Sequence, residues 1–347
     1  MRLRGAIIGF GNIAVNGHLP AYRNRPDIEI TAVMDALPAT GETCRQVLPQ
    51  STFYSDADAL LAEEAVDFVD IATPPGTHAA LICRSLEKGA HVLCEKPLVI
   101  ATEDLRKVAR LAARHRRTVF TVHNWRYAPI FRKISRMLAQ GAVGEVRRIS
   151  YDVIRTRPSV TVGEEEAGGN WRLDPRMSGG GILVDHGWHA FYMINQWAGD
   201  TPRGVRCRLE NRRYDRIPVE DTATVEIDYP GVRARIFFTW AGDRRGNRVV
   251  IEGSRGVLSA DDDVIVLTRD GQRRQYRFAE ALSQGSHHPE WYGFIVDEFV
   301  GEMRSGDIPG RNLAEAAWCL ALLNACHQAH RKGGRQALPE SVLEEVP

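Results

Sequence analysis

The chain of 347 residues has no long apolar run, no excess of either charge and no paired cysteine motif. Each absence removes a class of protein. No segment approaches the roughly 20 apolar residues of a membrane span, so no membrane association is expected. Its 45 Lys and Arg against 44 Asp and Glu leave a formal charge of +1, which gives no reason to expect nucleic acid or an anionic surface as partner. The cluster Arg114-His115-Arg116-Arg117 belongs to no basic stripe and reads as a solvated helix end. Six cysteines (Cys44, Cys83, Cys94, Cys207, Cys319, Cys326) are scattered without C-x-x-C spacing. They read as reduced core thiols rather than a disulfide frame. No compact His and carboxylate set has metal-site spacing, so no metal is expected. The N-terminus enters a strand at once, without signal-peptide features, and a cytoplasmic location is expected.

What is present is an ordinary globular composition, 44% hydrophobic and 26% charged, at a length that suits two domains. In the first third, short runs rich in β-branched residues alternate with helical stretches. The strands are expected at Ala6–Gly9, Ile28–Met34, Val66–Ala72, His91–Cys94 and Thr118–Val122, with helices such as Ala79–Lys88 and Glu103–Arg114 between them. That alternation predicts parallel βαβ units in a doubly wound sheet. From about residue 124 the rhythm changes. A helix over Pro129–Ala139 leads to strands over Val146–Tyr151, Thr222–Ile227, Val232–Trp240, Arg248–Glu252 and Val264–Thr268. Turns at Tyr229-Pro230-Gly231 and Arg269-Asp270-Gly271 predict hairpins in an open, mostly antiparallel or mixed sheet. Helices over Glu290–Arg304 and Leu313–Arg331 close the chain. The expected architecture is α/β, with a Rossmann domain over 1–123 and a second α/β domain over 124–347.

Gly9-Phe10-Gly11-Asn12-Ile13-Ala14 follows the first strand and opens a helix, the G-x-G-x-x-A form of the dinucleotide fingerprint. Gly9 permits the tight turn, Gly11 lets backbone approach a pyrophosphate, and Ala14 is small enough for close helix–strand packing. Asn12 and Ile13 carry the backbone N–H groups of that turn. The second strand ends in Asp35, near the roughly 20-residue offset expected of the ribose-binding acid. A carboxylate there accepts from both ribose hydroxyls and repels a 2′-phosphate, so NAD is expected over NADP. Thr73-Pro74-Pro75-Gly76 places a stiff turn at the carboxyl edge of the sheet, beside the cofactor. His78 opens the next helix, where a packing role competes with a cofactor role.

Two segments carry candidate chemistry. Cys94-Glu95-Lys96-Pro97 ends the fourth strand, where Lys96 can point its ammonium at a hydroxyl or carbonyl and Glu95 can pair with lysines or bind cofactor hydroxyls. Gly179-Gly180-Gly181 precedes Ile182-Leu183-Val184-Asp185-His186-Gly187-Trp188-His189. The glycines allow backbone to pass close to a flat ring. Asp185 and His189, four apart on a helix, share a face, so Asp185 can orient His189 as the general base of alcohol oxidation. His186 falls on a different face.

In order and spacing, the fingerprint, Glu95-Lys96-Pro97, the Gly179–His189 segment, Thr73-Pro74-Pro75…His78 and Asn170-Trp171-Arg172 resemble the Gfo/Idh/MocA family. These are oxidoreductases related to glucose–fructose oxidoreductase and inositol dehydrogenase. The resemblance covers nearly the whole chain. It implies a Rossmann domain, a C-terminal domain whose open sheet mediates dimers or tetramers, and catalytic positions at Lys96, Asp185 and His189. It also implies a sugar or polyol as substrate. Asn124, Arg126, Trp171, Arg172, His186 and Tyr192 are the candidate substrate contacts. The chain departs from the family in His186, where an apolar residue is usual, and in a longer 155–169 loop carrying Glu164-Glu165-Glu166. Hydride transfer at a hydroxyl-bearing carbon is the expected reaction. A redox-neutral glycosidase or epimerase using bound NAD, and a non-catalytic NAD sensor, are the rival readings.

Overall fold

In the computed structural model, residues 2–23, 25–159, 169–284 and 288–343 are described. The first layer is a six-stranded parallel sheet of β1 (Leu3–Ile8), β2 (Ile28–Met34), β3 (Thr52–Tyr54), β4 (Phe68–Ile71), β5 (His91–Cys94) and β6 (Val119–Thr121). Its order is β3-β2-β1-β4-β5-β6. The crossovers carry helices α1 (Leu19–Arg23), α2 (Thr40–Val47), α3 (Ala57–Glu63), α4 (His78–Glu87) and α5 (Thr102–His115). Central strands covered on both faces must be apolar throughout, and Ala6, Ile7, Ile8, Phe68, Val69 and Ile71 are accordingly buried. Asp70, inside that run, is buried too. The order reverses between β1 and β4, so the turns after these strands diverge and open a crevice at the carboxyl edge. This is the doubly wound sheet the sequence predicts. β3 is an addition, too short to stand out from its turn-rich flanks.

The rest of the chain builds a nine-stranded sheet from β7 (Val146–Ile154), β8 (Gly204–Glu210), β9 (Thr222–Tyr229), β10 (Val232–Thr239), β11 (Gly246–Gly253), β12 (Gly256–Asp261), β13 (Val264–Arg269), β14 (Gln272–Arg277) and β15 (Gln336–Ala337). The order is β14-β13-β12-β11-β7-β10-β9-β8-β15. β7 and β10 run parallel, and the other neighbours are antiparallel. The helices are α6 (Pro129–Ala139), α7 (Pro175–Ser178), α8 (Ile182–Ala198), α9 (Pro289–Ser305) and α10 (Arg311–Lys332). α8 is apolar almost all round because it lies between the sheet (β7, β9, β10) and α10. Strand β10 alternates buried Val232, Ala234, Ile236 and Phe238 with outward Arg233, Arg235 and Phe237, as a sheet covered on one face requires.

The last two helices return to the first sheet. The Asn312 side chain at the start of α10 accepts from Thr121 N (2.6 Å) and donates to Thr121 O (3.0 Å), standing in for a neighbour along the edge strand β6. α9 packs on α1. These contacts carry residues nearly 200 positions away to the crevice. The Glu164-Glu165-Glu166 run lies outside the described residues.

Candidate active site

The fingerprint turn joins β1 to a helix whose first turns include a π-helical stretch, Ala14–His18. Gly9 adopts φ +90°, and a Cβ there would lie 2.7 Å from Thr73 Cγ2 and 2.8 Å from the Ala72 carbonyl carbon. Glycine at this position is therefore dictated by the neighbouring turn. Gly11 differs: a Cβ there would meet nothing within 4 Å. The free space over an exposed Gly11 and Asn12 is what close approach of a pyrophosphate needs. Asp35 accepts from Phe10 N (2.7 Å) with one oxygen and Leu37 N (2.8 Å) with the other, which aims its carboxylate at the turn. Ala14 is fully buried against the sheet, and Ile13 is half-buried. Thr73 Oγ1 contacts Thr77 Oγ1 (2.7 Å), tightening the turn that holds Pro74 at the crevice. These residues fit an adenine dinucleotide.

His78 does not reach that crevice. It is fully buried, with ring nitrogens 2.9 Å from Pro97 O and 2.8 Å from Thr73 O. It ties the Thr73 turn to the Lys96 turn, and burial holds its pKa below the ordinary value. The expected cofactor contact is thus corrected to a tether between two cofactor-side turns.

Glu95 belongs to a buried network that sequence reasoning missed. His18 Nδ1 donates to Asp70 Oδ2 (2.8 Å), and its Nε2 lies 3.1 Å from Glu95 Oε1. Tyr22 donates to Asp70 (2.7 Å) and Tyr292 of α9 to Glu95 Oε1 (2.9 Å). Burial alone would depress the His18 pKa, but Asp70 and Glu95 outweigh it and push it up to about 10. The second Glu95 oxygen accepts from Lys96 N (3.0 Å). The network anchors the turn that carries Lys96. Two polar residues inside otherwise apolar elements, Asp70 in β4 and His18 behind the fingerprint, were the available signal.

Lys96 crosses to the second domain. Its Nζ donates to Asp185 O (2.7 Å) and Asp185 Oδ1 (3.2 Å) in the first turn of α8. Asp185 Oδ2 lies 3.2 Å from His186 Nδ1. Burial would raise the Asp185 pKa, yet the charge of Lys96, followed by His186 and Arg172, holds it well below the carboxylate range. Burial takes His186 down to about 4. Asp185 and His189 do lie on successive turns of one helix, but the carboxylate turns to Lys96 and His186. His189 is held otherwise. Its Nδ1 lies 3.0 Å from the Tyr192 hydroxyl, and its ring stacks on Trp125 at 4.6 Å and 4°. Burial, then the nearby Lys96 charge, pushes its pKa well below the ordinary value.

Three expected roles change. Tyr192 is buried, accepts from Trp125 N (3.0 Å) and positions His189, so it does not face a substrate. Arg126 is taken by Glu315 of α10 (2.8 Å), behind the Trp125 layer. The triple glycine answers to protein contacts. A Cβ on Gly179 would meet Ile100 Cγ2 at 2.8 Å, and one on Gly181 would lie 1.9 Å from Glu220 O. Glu220 Oε1 accepts from Gly181 N (3.0 Å) and Leu183 N (3.1 Å), capping α8. Asn124 is half-buried, with its Oδ1 unpartnered among the described residues. The Arg172 guanidinium stacks over Trp171 at 4.3 Å, and both are half-buried. Away from the cleft, Glu280, His288 and Glu290 bring three donor atoms within 4.8 Å of one another at the surface.

A doubly wound sheet with this turn, joined by Lys96 to Asp185 on the helix that carries a buried histidine, defines an NAD-binding oxidoreductase. Residues 3–123 match the family model described as oxidoreductase family, NAD-binding Rossmann fold, and residues 131–259 match the GFO/IDH/MocA C-terminal domain. The chain belongs to the GFO/IDH/MocA oxidoreductase family. It is 27% identical to D-apiose dehydrogenase of Paraburkholderia graminis over all of this chain and 92% of that one. It is 24% identical to inositol 2-dehydrogenase of Rhizobium meliloti, over 92% and 95% of the two chains. Among solved structures, the NADH complex of levoglucosan dehydrogenase superposes with TM-score 0.84 at 18% identity, over 98% of this chain and all of that one. No described helix is long and apolar enough to cross a membrane.

Proposed function

We propose that the protein is a dehydrogenase that oxidises a hydroxyl-bearing carbon of a sugar, inositol or sugar derivative, or reduces the matching carbonyl. The observation that carries this reading is the Lys96–Asp185 contact, which brings a cation from the carboxyl edge of the dinucleotide sheet to the helix that carries His189. The activities of the apiose and inositol dehydrogenases support the substrate class. Gly9, Gly11, Asn12, Ile13, Ala14, Asp35, Thr73, Pro74, Glu95 and Lys96 would hold NAD. Bound NAD(H) supplies the hydride acceptor or donor.

The chain's own residues manage the proton and the charge. With Nδ1–H donating to Tyr192, Nε2 of His189 is the acceptor for the substrate hydroxyl proton. Lys96 donates to the same oxygen and stabilises the negative charge that grows there as the proton leaves, ahead of hydride loss from the carbon. Asp185 holds the ammonium in place and offers its remaining lone pairs to a neighbouring hydroxyl. His186, Asn124, Trp171 and Arg172 line the substrate side. The six unpaired cysteines accord with a reducing cytoplasm, and the open face of the nine-stranded sheet with a homodimer or homotetramer.

The test is nicotinamide reduction with NAD and NADP against inositols, aldoses and sugar derivatives. His189→Ala should lower kcat on the order of 10²–10⁴-fold while NAD binding persists. Because the His189 pKa is lowered, the base is unprotonated at neutrality, and the oxidation rate should stay flat from pH 9 down to about 6.5. Near-normal turnover in the variant would sink the assignment.

A further inference from the structure

Arg155 closes β7 and is only 6% exposed. Its Nη1 donates to Ile154 O (2.8 Å) and Gly246 O (3.2 Å), and its Nη2 to Asn247 Oδ1 (3.2 Å). All three acceptors are neutral, and no carboxylate among the described residues pairs with it. The other cations of this region are balanced, Lys96 by Asp185 and Arg126 by Glu315. Tying β7 to β11 needs donors but not a charge. A buried charge is costly unless paired, and a guanidinium cannot escape by losing its proton near neutrality. Burial lowers its pKa only to about 10.

Its position relates this charge to the site. The pleat puts Arg155 on the same face as buried Tyr151 and Val153, the face that packs on α8. The guanidinium carbon lies 5.8 Å from the centre of the Trp125 indole. That indole is stacked on His189 at 4.6 Å and stands edge-on to His186 at 6.0 Å. The guanidinium and the His189 imidazole are therefore no further apart than the first two distances together. The neighbouring polar atoms lean the same way. Tyr151 Oη and Trp240 Nε1 are buried without a hydrogen-bond partner among the described residues, and Trp240 follows the residue whose carbonyl accepts from Arg155 N (2.8 Å). This wall holds a cation and two hydrogen-bonding groups, and Asp185 and Asp262 act on the cation only through space.

We propose that the substrate carries an anionic oxygen group, a carboxylate or a phosphate, bound by Arg155 at the sheet-side wall of the cleft. The assignment rests on the dehydrogenase reading and specifies the substrate class of that same site. Neutral sugars lack the countercharge the guanidinium needs.

Paired substrates test it: aldoses against their aldonates, uronates and 6-phosphates, and inositols against inositol phosphates. Anionic members should exceed their neutral partners in kcat/KM by about 10- to 100-fold, the worth of a charge-assisted hydrogen bond. Arg155→Gln should collapse that ratio toward one, and Arg155→Lys should restore part of it. Preference for the acids assigns a carboxylate, and preference for the phosphates a phosphate. Calorimetric titration of NAD-loaded wild-type protein with glucuronate, glucose 6-phosphate and glucose reads the same preference without turnover or a variant. Equal or better use and binding of the neutral members, or a ratio unmoved in Arg155→Gln, overturns the inference. Neutral sugars oxidised at least as well as their anionic partners, in a His189-dependent manner, would overturn it while leaving the dehydrogenase reading intact. NAD binding with no turnover of any member counts against the dehydrogenase reading, and the titration then still decides the charge preference.

Discussion

At the scale of single residues, the site depends on charges held out of water. His18 is an imidazolium between two carboxylates, and its bond to Glu95 steadies the turn carrying Lys96. Its folded pKa lies above the unfolded value of about 6.5. Its contribution to stability is therefore fully present below pH 6.5 and is lost as pH rises through about 10. His18→Gln should cost about 3–5 kcal/mol, because it strands buried carboxylates. Denaturant unfolding at several pH values should also show a weaker loss of stability between pH 6.5 and 10 in the variant. A pH dependence identical to wild type would refute the charged His18. Arg155 belongs with His18 as a buried cation, but with the opposite arrangement. His18 has its counterions in hydrogen-bond contact, and Arg155 has no carboxylate in contact among the described residues.

At the scale of elements, α8 decides where the chemistry sits. Its N-terminus is capped by Glu220, from the segment before β9, and Gly181 lets the two backbones touch. A methyl at Gly181 must push the Glu220 carbonyl away, and with it the cap and the first turn holding Asp185. Gly181→Ala should lower stability by about 1–3 kcal/mol, the cost of overpacking. It should lower kcat more than it weakens NAD binding, since the dinucleotide turn lies on another element. Equal losses in both, read by initial rates and a cofactor titration, would mean the glycine serves the cofactor instead. The glycines were legible as a close approach, but not what approaches. That partner is 39 residues away and carries no sequence signature.

At the scale of the whole molecule, the nine-stranded sheet presents a face where Arg233, Arg235 and Val257 are exposed. Burying it between copies should give a dimer or tetramer in sedimentation velocity. A charged substitution at Val257 should shift the distribution toward monomer, and a monomeric wild-type protein would rule out assembly through this face. The doubly wound sheet, the fingerprint turn, Asp35, Lys96 and the helix bearing Asp185 and His189 were all readable in the sequence. Each is set by local chemistry: β-branched runs, glycine where φ is positive, and helical spacing. The pairings were not. Asp185 joins Lys96 rather than His189, Tyr192 holds the His189 ring, Arg126 is taken by Glu315, and His78 ties two turns together. All of these depend on α9 and α10 folding back over the first sheet and on α8 lying across the second. Spacing along the chain sets which residues share a face. Only the packing of distant elements decides which opposite charge lies nearest in a low dielectric, and so which groups pair and which remain for a ligand.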